Sequence, residues 1–315
     1  MRALVYDGNM RLERDYPKPE PSARDALLKI RKAGVCNTDL ELIGGYLDFS
    51  GVLGHEFIGE VISGDPGWIG TRVVGEINVA DGTCDYCQKG IPSHCRNRKV
   101  VGIAGHQGAF ADFLALSVSN LHRVPDRVTD DQAVFVEPLA AAFQILEAQH
   151  ISPRDRVVVV GVGKLGMLCA QVIRLTGAEV IGVVRRDKQA SLLNKWRIQA
   201  AAKSELASAQ ADVVVDCTGT QEGFADALDL VKPRGTIILK STYKGLPQAN
   251  LSRVAVDEIR VIGSRCGPFD AALRALEAGL VDVESLIEAR YPLDQIEQAI
   301  QHAAQQGCLK VLVDI

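Results

Sequence analysis

Residues 156–166 read R-V-V-V-V-G-V-G-K-L-G. Four consecutive valines form an apolar strand that runs into G-x-G-x-x-G, with Gly161, Gly163 and Gly166 at its fixed places. The first glycine suits a tight turn, the second a close approach of backbone to a ligand, and the third close packing of helix on strand. The helix expected over 167–176 presents unpaired N–H groups and a partial positive charge at its start, which is what a pyrophosphate needs. A second apolar run over 179–184 supplies the next strand, so the glycines sit inside a strand–turn–helix–strand unit. This is the pattern of a dinucleotide site, with Lys164 and Leu165 between the glycines as part of its lining.

The end of the second strand bears on which dinucleotide. Sites for NAD place Asp or Glu there to bond the ribose 2′-hydroxyl. Here Val183 and Val184 are followed by Arg185 and Arg186, with no carboxylate before Asp187. Two guanidiniums suit a 2′-phosphate, so the expectation is NADP(H), with NAD(H) as the alternative. The other reading of the two arginines is plain solvation at a strand end. Further apolar runs at 212–216, 236–240 and 259–263 read as buried strands with helices between, the rhythm of a parallel sheet. Ligands of such sheets bind at the carboxyl ends of the strands, so Cys217, Thr218 and Gly219 are expected beside the cofactor, while Asp155 and Asp216 read as structural.

Upstream the texture differs. Short strand-like runs at 1–6, 26–33, 59–63 and 72–77 are broken by Gly, Pro and Asp, an antiparallel, loop-rich β pattern. The Ala-rich stretch 130–149 reads as a helical hinge. Beyond 268 the parallel rhythm stops, leaving amphipathic helices at 270–279 and 293–306 and a terminal strand at 309–314. The 315 residues suffice for two domains, and 47% hydrophobic residues with 29 Gly and few aromatics suit an α/β protein. A net charge of -4 gives no basic field for nucleic acid. No apolar run is long enough for a membrane span, and the first ten residues lack a signal-peptide pattern, so the expectation is a cytoplasmic protein without nucleic-acid or membrane partners.

In a reducing compartment clustered cysteines point to metal or catalysis rather than disulfides. Of the eight cysteines, Cys36, Cys84, Cys87 and Cys95 fall in the first third, and Cys169, Cys217, Cys266 and Cys308 stand singly, as core thiols do. Cys36 has Thr38 and Asp39 beside it, then Gly54, His55 and Glu56, then Glu137 and Pro138 at a distance. Thiolate, imidazole and carboxylate make a reasonable set for a catalytic zinc with one open position. Each also has an ordinary reading: a core thiol, a histidine in a turn, a glutamate on a helix surface. Spacing alone leaves both open.

The series GVCNTD around Cys36, GHE around His55, EPLA from Glu137, GVGKLG from Gly161, DCTG from Asp216, PRG from Pro233 and YPLD from Tyr291 resembles the zinc-dependent medium-chain dehydrogenases. The sorbitol and threonine dehydrogenase branch is the most similar. The resemblance implies a GroES-like catalytic domain (1–125), a Rossmann domain (126–267) and a return segment completing the first (268–315). It implies Cys36 and His55 as catalytic zinc ligands, Glu56 as a close carboxylate able to ligate, Glu137 as the third protein ligand and Thr38 as proton relay. It also implies a homodimer or homotetramer. Where the family carries four cysteines around a structural zinc, this chain has Asp81, Cys84, Cys87 and Cys95. Three thiolates and a carboxylate can still hold zinc, and His94 is a possible substitute. Glu41 stands near the usual relay histidine and the stretch after Lys240 is short, so the outward proton route is expected through Glu41 or water.

The expected reaction is hydride transfer between NADP(H) and a small alcohol, ketone or aldehyde, with zinc as Lewis acid and the cofactor supplying the redox chemistry. Thr38, Leu47, Phe49 and Ile77 are the expected pocket residues, suited to a neutral secondary alcohol. The alternatives are an NAD-dependent polyol or amino-alcohol dehydrogenase and, from another class, an inactive NADPH-binding protein. A zinc-free quinone reductase would leave Cys36, His55 and Glu137 without a reason to occur together.

Overall fold

The computed structural model describes residues 1–243 and 248–315. The chain divides into two compact units, Met1–Glu137 with Phe269–Ile315, and Pro138–Pro268. Residues 126–137 therefore belong with the first unit, although the sequence places the boundary at 125. Ion pairs hold them there. Asp130 meets Arg31 at 2.7 Å, and Asp131 meets Arg290 at 2.6 Å. The expected hinge is also two helices, Asp130–Ala133 and Val136–Ala148, the first capped by the Thr129 hydroxyl on the Gln132 N–H.

The second unit carries a parallel sheet of six strands among the described residues. Its order is Gln199–Ala201, Glu179–Val183, Arg156–Val160, Ala211–Asp216, Val231–Leu239, Arg260–Gly263. Numbered along the chain this is 3-2-1-4-5-6, the doubly wound order. The inner strands are apolar along their length because both faces are covered: Val158, Val160, Ile181, Val214 and Ile237 pack with Phe224, Leu228 and Ile259. The last strand is an exception to the expectation of burial. Arg260–Gly263 lies at the sheet edge and is largely exposed. The short strand Gln199–Ala201 carries too few apolar residues to stand out in the sequence.

In the first unit, strands run in the order Leu121–Arg123, Arg72–Gly75, Glu56–Ser63, Asp25–Gly34, Lys310–Asp314, Ile287–Pro292, and Phe113–Ser117 also pairs with Asp25–Gly34. The neighbours of Asp25–Gly34 are all antiparallel to it. Lys310–Asp314 thus lies beside the longest strand, which explains why residues after 268 close this unit. The partner of that strand, Ile287–Pro292, is parallel to it and is reached through helix Ile296–Ala303. Its sequence I-E-A-R-Y-P alternates apolar and polar residues, but the run is short, ends in proline and has no buried residue, so it gives only a weak strand signal. No helix among the described residues is long and apolar enough to cross a membrane.

The glycines of the turn differ in what the fold requires of them. A Cβ on Gly166 would lie 2.2 Å from the carbonyl oxygen of Gly161, while one on Gly163 would meet nothing within 4 Å. Gly166 is a packing requirement, whereas nothing among the described residues requires a glycine at 163. Gly166→Ala is therefore expected to cost about 1–3 kcal/mol in urea unfolding. Gly163→Ala should stay within about 0.5 kcal/mol of the parent.

Candidate active site

Cys36 lies two residues beyond the strand Asp25–Gly34 and caps helix Asn37–Ile43, donating its backbone N–H to Asp39 Oδ2 at 2.9 Å. This turn leaves its thiol 3.8 Å from the Thr38 hydroxyl. His55 and Glu56 enter from the neighbouring strand, which begins at Glu56 and pairs with Gly34. One donor atom each from Cys36, His55 and Glu56 lies within 4.8 Å of the others. Glu137, in the first turn of helix Val136–Ala148, is not one of that mutually close set; it bears on the site through the charge it presents to Lys310.

Two buried residues with no expected role organise this cluster. Asp39, fully buried, places Oδ1 3.2 Å from His55 Nδ1, without the angle of a good hydrogen bond. A carboxylate this close favours a proton on Nδ1 by its charge and so favours Nε2 as the nitrogen a metal would take. Burial acts to lower the His55 pKa, but Asp39 and Cys36 outweigh it and raise it well above 6.5. The same surplus of negative charge is what a divalent cation neutralises. The second residue is Lys310, whose ammonium pairs with Glu56 Oε2 with both side chains almost wholly out of water. Burial works against its charge, yet Glu56 and Cys36, with Glu137, raise its pKa above 10.5. The ring of Phe135 lies 5.4 Å from the ammonium. Asp39 was visible three residues after Cys36. Lys310 heads an apolar terminal strand and gives no local signal.

The remaining pocket residues also fall in this unit. Phe49 and Ile77 are buried, whereas Leu47 is 52% exposed with φ 65°. Asn37 donates to Glu41 Oε1 at 2.8 Å, one turn further along helix Asn37–Ile43.

The second group, Asp81, Cys84, Cys87 and Cys95, also has its donor atoms within 4.8 Å of one another, and His94 is not one of them. Cys84 and Cys87 sulfurs are 3.5 Å apart, and Cys87 sulfur is 3.6 Å from Asp81 Oδ1. Asp81 accepts from the Thr83 and Cys84 N–H groups and from Asn97 Nδ2, donors that hold its carboxyl below the usual range. Backbone N–H donors, from Arg96 and Cys87, lower the Cys84 thiol to about 7. A bidentate Arg96–Asp85 pair fastens the loop after Cys95 to helix Asp85–Gln88. The lobe is thus arranged as a metal clip without a disulfide; all eight cysteines are free thiols.

In the second unit, Gly163 caps helix Lys164–Arg174. Lys164, Leu165 and Gly166 form the first turn, whose N–H groups face no helical acceptor. Arg185 and Arg186 follow strand Glu179–Val183, both exposed, and neither forms an ion pair among the described residues. Cys217, Thr218 and Gly219 follow strand Ala211–Asp216, and a Cβ on Gly161 would come within 2.7 Å of Thr218 Cγ2. Asp216 is buried and structural: it accepts from the Thr218 N–H and hydroxyl and from the Tyr243 hydroxyl. Asp155 likewise closes a turn by accepting from the Ser152 N–H at 2.7 Å. The short stretch after Lys240 includes residues 244–247, which lie outside the described residues.

The alcohol dehydrogenase GroES-like domain matches residues 22–126, and the zinc-binding dehydrogenase domain matches residues 165–278. A sorbitol dehydrogenase of Halalkalibacterium halodurans is 30% identical over 95% of this chain and 94% of its own length. A zinc-binding dehydrogenase of Sinorhizobium meliloti 1021, solved with NADP, has a TM-score of 0.91 at 27% identity, covering 100% of this chain and 99% of that one. An alcohol dehydrogenase of Escherichia coli CFT073, solved with NADH, has a TM-score of 0.89 at 23% identity over 100% of this chain and 99% of its own.

Removing one member of a buried ion pair strands the other. Lys310→Met should lower stability by about 3–5 kcal/mol, and Lys310→Met with Glu56→Gln should recover a good part of that loss. Because the Lys310 pKa is raised on folding, its contribution is complete below pH ~10.5 and fades only as pH climbs through the folded value. Urea unfolding of the two variants at neutral pH, and of the parent up to alkaline pH, checks both statements.

Proposed function

The chain belongs to the zinc-dependent medium-chain dehydrogenases, oxidoreductases acting on CH–OH donors with NAD(P), and from that premise we propose that it oxidises or reduces a small secondary alcohol or its ketone with NADP(H). The observation that carries the reading is the mixed cluster of Cys36, His55 and Glu56, buried against Asp39 and Lys310. One soft thiolate, one imidazole and a carboxylate fit a catalytic zinc better than any purely structural role. Cys36 and His55 are its ligands, Glu137 the third protein ligand, and Glu56 the close carboxylate held by Lys310. When bound, zinc supplies a Lewis acid that lowers the pKa of an alcohol, and the nicotinamide supplies the hydride acceptor or donor.

This chain's residues do the rest. The Thr38 hydroxyl, beside Cys36, takes the substrate proton as it releases its own, and the proton leaves through Glu41 or water. Leu47, Phe49 and Ile77 give the substrate apolar surface. Gly161, Gly163 and the first turn of helix Lys164–Arg174 hold the pyrophosphate, and Cys217, Thr218 and Gly219 line the cofactor further on. The exposed guanidiniums of Arg185 and Arg186 favour a 2′-phosphate. Asp81, Cys84, Cys87 and Cys95 hold a structural zinc. The exposed edge strand Arg260–Gly263, with Leu251, Val256 and Val261 also exposed, supports assembly into a homodimer or homotetramer.

The identity to a sorbitol dehydrogenase favours a second reading, NAD-dependent polyol oxidation on the same site. Cofactor kinetics separate the two. NADPH should be preferred over NADH in kcat/KM, and Arg185→Ala with Arg186→Ala should reduce that preference at least tenfold; a parent enzyme favouring NADH overturns the first reading. Asp81→Ala should release one zinc per chain in metal analysis and lower thermal stability while turnover per remaining zinc persists.

A further inference from the structure

A third group of metal-binding side chains lies in the return segment, where the reaction above uses none of them. Glu288 is on strand Ile287–Pro292, His302 in the last turn of helix Ile296–Ala303, and Cys308 in the turn before strand Lys310–Asp314. A carboxylate oxygen, an imidazole nitrogen and the thiol sulfur from these three lie within 4.8 Å of one another. None is fully buried, so an ion has access. Two of the three are already oriented by other groups. Glu288 Oε1 accepts from the Leu309 N–H at 2.5 Å, which fixes the carboxylate against the turn that carries Cys308. His302 Nδ1 is 3.0 Å from the Tyr291 hydroxyl, and the two rings meet edge to face at 5.9 Å.

We propose that Glu288, His302 and Cys308 form a zinc(II) site distinct from the two in the family pattern, with water completing the coordination. The donor set decides the class of ion. A thiolate argues against magnesium and calcium, and thiolate with imidazole and carboxylate is the borderline mixture that zinc takes. With Nδ1 engaged by the Tyr291 hydroxyl, Nε2 is the ligating nitrogen, the usual division of a metal-bound imidazole. Donors about a zinc ion stand roughly 3.3–3.7 Å apart. Partly exposed side chains reach that spacing by rotating, without backbone movement. The ion would join a strand, the helix that follows it and the turn into the next strand. That next strand begins at Lys310, two residues beyond Cys308, so the site fastens the segment that delivers the buried ammonium to Glu56. Its role is to stabilise the return segment, not to turn over substrate.

The test uses the intact protein carrying the zinc it retains after dialysis. Zinc chloride is then titrated in, with metal content and thermal midpoint measured, for the parent, Cys308→Ser and His302→Ala. The parent should take up one more zinc per chain than either variant and rise further in thermal midpoint, while basal turnover stays the same in all three. Tyr291→Phe should retain the site but weaken it about tenfold. In the unaltered protein, zinc should also slow alkylation of Cys308 by iodoacetamide, read peptide by peptide in the mass spectrum. Equal zinc uptake in parent and variants, or a Cys308 alkylation rate indifferent to zinc, overturns the proposal.

Discussion

The buried pair of Lys310 and Glu56 constrains the rest of the first unit. Taking an ammonium and a carboxylate out of water costs several kcal/mol for each ion, and their mutual contact, helped at Lys310 by Cys36 and Glu137, offsets it. The pair therefore has to form, and it can form only if the last strand of the chain reaches the strand that carries Glu56 by way of Asp25–Gly34 between them. That requirement explains why 47 residues after the parallel sheet return to the first unit. It also explains Gly34: a Cβ there would lie 2.7 Å from Glu56 Oε2 and from Val134 Cγ1, pressing on the carboxylate that Lys310 holds.

The two units solve their binding problems by different physics. In the second, the candidate site is made of backbone: a left-handed Gly161, a bare Gly163 and the start of helix Lys164–Arg174, with Arg185 and Arg186 at the margin. In the first, the site is made of charge. Asp39 and Glu56 are buried beside the partly buried Cys36 and Glu137, and Lys310 is the buried ammonium set against them among the described residues of this unit. A divalent cation is the kind of group such a surplus of acidic donors suits.

These differences decided what could be read in advance. The doubly wound sheet was legible because V-V-V-V-G-V-G-K-L-G combines a strand, a turn and a helix start in eleven contiguous residues with the flanking arginine. Cys36, His55 and the Asp81 lobe were legible because thiols and imidazole at short spacing have few other uses. Asp39 sat in view beside Cys36, but its meaning depends on His55 arriving from another strand. Lys310 had no signal at all, since its partner lies 254 residues away in sequence. The edge strand Arg260–Gly263 misled for a related reason: its Val-Ile pair reads as core, and only the strand order shows that nothing covers one side. Local chemistry is written locally, whereas long-range charge pairing and sheet edges emerge from topology.

If Cys36 and His55 hold a catalytic zinc, hydride transfer by this chain requires that ion. Dialysis against a strong zinc chelator, followed by stepwise return of zinc, tests it with bound metal and alcohol oxidation measured on the same samples. The account predicts turnover that falls as the catalytic zinc is lost and recovers when zinc is restored. Full turnover in protein stripped of all its zinc would contradict it.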